Sequence, residues 1–137
     1  MKKSIIIIGC IIAIVAILVL VIKPLGEKPF KNLSDDKISE VTVKFMPPNK
    51  TISLTDDDVV RLVKILNSCV VYAKDDSYID YNGQTVLYTI IKKDGTVTEV
   101  AAFNPFLIIN GVGYKTKYNP CERLSVLGNK ILDAYNP

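Results

Sequence analysis

The chain has 137 residues, with 17 Lys plus Arg, 14 Asp plus Glu and a formal charge of +3, a length that holds one small globular domain. It contains no His, which excludes Ser-His-Asp triads, Cys-His pairs, HExxH zinc sites and any His general base. Lys2, Lys3 and Lys23 flank one apolar run, and beyond them 14 basic residues balance 14 acidic ones, so the cationic excess of a nucleic-acid binder is missing and no nucleic-acid partner is expected.

Residues 5–22 form an uninterrupted run of 18 uncharged, almost wholly apolar residues. As a helix this run extends about 27 Å, against a hydrocarbon core of about 30 Å. It is longer than the apolar region of a cleavable signal peptide and lacks an Ala-x-Ala exit, so an uncleaved anchor is expected. Ile7-Ile8-Gly9-Cys10 resembles a lipidation box, but only four apolar residues precede Gly9 and twelve follow Cys10. Lysines sit on both flanks, leaving the positive-inside count almost tied. A basic start followed at once by an apolar run resembles an export signal, which puts the N-terminus inside and the rest outside. The expected organisation is therefore an anchor over residues 1–22, a Pro- and charge-rich linker over 23–37, and an extracytoplasmic domain over 38–137.

In the domain, Val41, Val43 and Phe45 alternate with polar residues as a half-buried strand does. Pro47-Pro48-Asn49 stops it, and residues 51–54 return as a partner strand with Ile52 and Leu54 inward. Thr55 then caps a helix whose first turn is Asp56-Asp57-Asp58, with Asp58 at the capping-box position. Three consecutive aspartates on a helix start diverge, so capping is expected there and a metal is not. Val59, Leu62, Val63 and Leu66 give that helix its apolar face. A short apolar strand over 69–73 follows.

The polar segment Asp75 to Gly83 carries Asp75, Asp76, Tyr78, Asp80 and Tyr81 and is the candidate recognition loop, because Tyr beside acids suits a recognition surface. It lacks the terminal Glu of a calcium loop. Two hairpins are expected next. Residues 85–91 and 96–103 flank Lys93-Asp94-Gly95, and residues 106–109 and 112–114 flank Asn110-Gly111. Asn119 and Pro120 open a last helix, with Glu122 completing its box and Leu124, Leu127, Ile131 and Tyr135 on its apolar face. Gly128 lies beside that stripe, where it permits close packing. Cys69 ends one helix and Cys121 begins the other, so they are either a disulfide or two separate thiols. The fold class is α+β: an N-terminal transmembrane helix, then an antiparallel sheet of hairpin plus meander with two helices on one face.

The runs ISLTDDDVVRLVKILNS, VLYTIIKKDGTVTEV, IINGVGYKT and LSVLGNKIL together resemble an uncharacterised family of small extracytoplasmic proteins, lipoprotein-like or membrane-anchored, from low-GC Gram-positive bacteria. The resemblance covers residues 41–132, implies location and fold, and carries over no catalytic residue. No catalytic set, cofactor or metal site is expected. The functional expectation is a non-catalytic, single-pass binding module for a protein or envelope partner. The alternatives are a small envelope hydrolase using a carboxylate pair or a Ser-Lys dyad, or an inhibitor or immunity protein.

Overall fold

The structure, a computed structural model, describes residues 1–22 and 26–136. Its first element is the apolar helix α1, Lys2–Ile22, which is long and apolar enough to cross a membrane. The domain follows as β1 (Ile38–Met46), β2 (Lys50–Ser53), α2 (Asp56–Ser68), β3 (Val71–Lys74), β4 (Thr85–Lys92), β5 (Val97–Phe103), β6 (Phe106–Ile109), β7 (Val112–Thr116) and α3 (Tyr118–Tyr135). All seven strands join one antiparallel sheet in the order β2-β1-β4-β5-β6-β7-β3. The two hairpins form where Asp94-Gly95 and Asn110-Gly111 place them. Gly95 and Gly111 take φ of +87° and +80°, the left-handed region that glycine enters without steric cost. Thus α+β is the observed class, with β4 to β7 as the meander and β3 sent to the far edge beside β7.

The helices α2 and α3 pack over one face of the sheet. Alternate residues on that face (Val41, Val43 and Phe45 of β1; Val86, Tyr88 and Ile90 of β4) join Leu62, Leu66, Leu124 and Leu127 in a single core. Thr55 caps α2 as its spacing requires, its Oγ1 accepting from the Asp58 amide at 3.3 Å. Asp58 answers by accepting from the Thr55 hydroxyl and pairing with Arg61 at 3.3 Å. On α3, Gly128 is required by contact: a Cβ there would stand 2.5 Å from Val86 Cγ1. One turn earlier the buried Tyr88 hydroxyl donates to the Leu124 carbonyl at 2.6 Å, which satisfies the one polar atom this large side chain takes into the core.

Three details differ from the sequence reading. The helix α3 starts at Tyr118 after an N-cap at Lys117 that makes no side-chain cap, so Asn119 lies inside the first turn. Pro120 is tolerated there because first-turn amides need no intrahelical acceptor. Glu122 accepts from Asn104 Nδ2 at 3.4 Å. Tyr135 is exposed, with Lys50 Nζ 4.0 Å from its ring centroid, so the apolar stripe of α3 ends at Ile131.

The third difference concerns the expected linker, of which residues 23–25 lie outside the described residues. From Gly26 onward it belongs to the domain. Glu27 and Val71 exchange both backbone hydrogen bonds at 2.8 Å, lengthening the β3 edge. Phe30 is buried in the core and Leu33 packs against it. The Asn67 side-chain amide donates to the Phe30 and Leu33 carbonyls at 2.6 and 3.1 Å. A short 3-10 turn, Asp35–Lys37, then leads into β1. Single apolar residues in a charged run carry no period, so only tertiary contact reveals this docking. Its consequence is a short connection: from Ile22 to Gly26 the chain reaches at most about 14 Å.

Candidate functional site

Beyond the core, the sheet has a second face that neither α2 nor α3 covers. It carries Thr42 and Lys44 of β1, Leu87 and Thr89 of β4, Glu99 and Ala101 of β5, and Ile108 of β6, as the register pairs them. Where β5 and β6 run Val100-Ala101-Ala102 and Phe106-Leu107-Ile108, every residue is buried. Strands apolar on both sides need cover on both sides. On the open face that cover comes from the loop carrying Tyr78 and Tyr81.

The loop is built to lie there. The Asp75 amide donates to the Gly113 carbonyl at 2.8 Å, and the Gly113 amide donates to Asp76 Oδ1 at 2.8 Å. Tyr78 donates its hydroxyl to the Gly111 carbonyl at 3.2 Å. The Tyr78 and Tyr81 rings meet Phe106 at centroid distances of 6.3 and 5.7 Å, tilted as aromatic pairs prefer. Gly113 makes this approach possible: a Cβ there would collide with the Asp75 carbonyl oxygen and stand 2.6 Å from Tyr78 Cδ1. Asp75 accepts from the Ser77 amide at 3.0 Å, and its hydrogen bonds to Ser77 hold its carboxyl below the usual carboxylate value. A 3-10 turn, Ser77–Asp80, then lifts Ile79 into solvent at 72% exposure.

Between this loop and the near ends of β1, β4 and β5 runs an open groove of about 490 Å³. Ala101 and Ile108 are its buried lining residues. Tyr78, Ile79 and Tyr81 line it from the loop, and Met46, Leu87 and Phe103 from the strands. Glu99 is the one carboxylate in the lining, which contains neither Ser nor Lys. The volume falls in the range of small-ligand and side-chain pockets, and Tyr-rich walls over an apolar floor are the composition of an interaction hot spot.

The five loop residues singled out from the sequence therefore divide by role. Tyr78 and Tyr81 line the groove, Asp75 and Asp76 fasten the loop, and Asp80 is exposed at the end of the 3-10 turn. Sequence reasoning missed Met46, Ile79, Leu87, Glu99, Ala101, Phe103 and Ile108. The available signal was the loss of alternation across residues 100–102 and 106–108, which marks a sheet with two buried faces.

Cys69 and Cys121 are free thiols buried in the core, so the disulfide alternative is not the state observed. Each sulfur has its own acceptor: Cys69 approaches the Ile65 carbonyl at 3.5 Å and Cys121 the Phe106 carbonyl at 3.3 Å. Burial pushes Cys69 up to about 11 and Cys121 up to about 12, far from the thiolate range a nucleophile needs. Among the described residues, no three His, Cys, Asp or Glu side chains converge to hold a metal ion. No protein-family model matches the chain, and neither a curated protein nor a solved structure matches it significantly.

Proposed function

We propose that the protein is a single-pass, membrane-anchored, non-catalytic interaction module of the cell envelope, in which α1 spans the membrane and the domain stands outside the cytoplasm. The open-face groove receives an extended segment of a protein partner, with an apolar side chain seated on Ala101 and Ile108 and a basic group opposite Glu99. The observation that carries this reading is the groove itself: a tyrosine-lined apolar channel on a domain whose other face is sealed by α2 and α3. The length and apolarity of α1 support the anchor, and the basic start before it supports the orientation.

A displayed peptide library, panned against the full chain in lipid nanodiscs, tests the groove. Enrichment of apolar sequences with an adjacent Lys or Arg is expected. Binding should be abolished by Ile79→Asp and weakened by Glu99→Gln, both at exposed positions that leave the core intact. Enriched peptides that bind the Ile79→Asp chain equally well overturn the assignment of the groove.

A further inference from the structure

On the domain surface where the chain leaves α1, Lys28, Lys31 and Lys117 line one shallow cleft, with Glu27 as its single acid among the described residues. All three lysines are exposed, and among the described residues none is in an ion pair. The cleft's side chains therefore carry a net charge of +2. Lys117 is also the N-cap residue of α3, an 18-residue helix whose first turn lacks a side-chain cap and any acid, so the positive end of the helix dipole adds to the same patch. The next residue, Tyr118, is 65% exposed, and tyrosine is a residue that settles at membrane interfaces.

Chain connectivity fixes how far this patch can lie from α1. The Glu27–Val71 pair clamps the segment to β3, and at most about 14 Å of chain separates Gly26 from the end of α1. At full extension that span is nearly two Debye lengths at physiological ionic strength, where the bilayer's field is largely screened, so the patch feels a charged bilayer when the connection is slack and the lysines lie within about 8 Å of the headgroups. Within a Debye length, juxtamembrane lysines are attracted to anionic headgroups.

We infer that Lys28, Lys31 and Lys117 form a docking surface for the anionic lipid headgroups of the membrane that α1 enters. This inference rests on the anchor reading. Docking through this surface restrains how the domain, and with it the open-face groove, is presented above the bilayer.

The test uses the full chain in nanodiscs of phosphatidylcholine alone or of phosphatidylcholine with phosphatidylglycerol. Acylation of each lysine is followed by mass spectrometry and normalised to Lys44 and Lys64 of the same molecule. Several-fold slower labelling of Lys28, Lys31 and Lys117 in the anionic discs, relieved by high salt, is the expected result. Amide exchange across residues 27–33 should slow in the same discs, and a K28Q/K31Q/K117Q chain should lose that slowing. Equal labelling in both lipids overturns the inference while leaving the anchor standing. So does equal slowing by inorganic phosphate in neutral discs, which marks a phosphate site. A chain that fails to stay with either disc under alkaline carbonate overturns the anchor reading, and the inference with it.

Discussion

Gly113→Ala is the substitution that most cleanly separates the recognition loop from the core. Gly113 lies in β7 on the open face, where its register partner is Ile108, and its φ is outside the left-handed region, so alanine suits the backbone. The obstacle is contact. The added Cβ collides with the Asp75 carbonyl oxygen and meets Tyr78 Cδ1 and Cε1 at 2.6 and 2.9 Å. The loop must move, loosening the Asp75–Gly113, Gly113–Asp76 and Tyr78–Gly111 hydrogen bonds. Overpacking of this kind costs about 1–3 kcal/mol, and alanine recovers about 0.5–1 kcal/mol of backbone entropy. A net loss of about 1.3 kcal/mol in loop docking corresponds to roughly 8-fold faster amide exchange, taking about 1.4 kcal/mol per factor of ten. Hydrogen exchange with peptide-level mass spectrometry reads this directly: residues 75–81 should accelerate while α2 and α3 keep their protection. Unchanged exchange across 75–81 would refute the claim that close approach at Gly113 seats the loop.

Asn67→Ala removes both side-chain hydrogen bonds holding the Phe30 and Leu33 carbonyls, at about 1 kcal/mol each. Limited proteolysis with trypsin should then cut after Lys31 faster than in the parent chain. Acid should loosen the recognition loop first. Because the Asp75 carboxyl is depressed in the folded loop, its contribution is present above its ordinary value of 3.8 and is lost as pH falls through the lower folded value. Exchange across 75–81 followed on acidification, corrected for the intrinsic pH dependence, should rise before the core opens. Cys69 and Cys121, pushed up to about 11 and about 12, should resist iodoacetamide at neutral pH in the folded chain and react fully in denaturant. Rapid native alkylation of either thiol contradicts their burial.

Strands and helices were legible because local chemistry dictates them. The Asp94-Gly95 and Asn110-Gly111 turns, the Thr55 cap and the stripe from Leu124 to Ile131 each rest on neighbours in sequence. What was not legible depends on contacts between distant residues. Phe30 is one aromatic residue among charges, and only distant contacts, with Asn67 37 positions away and through the Glu27–Val71 pair, reveal that its segment belongs to the domain. The tyrosines of the candidate site could be singled out by type. Their groove could not, because Met46, Leu87 and Ala101 come from three strands and read individually as ordinary strand residues. Cys69 and Cys121 do both lie in the core, yet nearness of two helix ends does not set whether two thiols bond.

The central claim is that the groove on the open sheet face, and not the helix-covered face, meets the partner. Site-specific photo-crosslinking in intact cells measures this most directly, with the photoreactive residue at Ile79 in one chain and at Lys64 on α2 in another. Both positions are exposed, so neither insertion disturbs the core. A discrete adduct from position 79 that is absent from position 64 and competed by groove-selected peptide is the expected result. Adducts from position 64 alone, or from neither position, contradict the account.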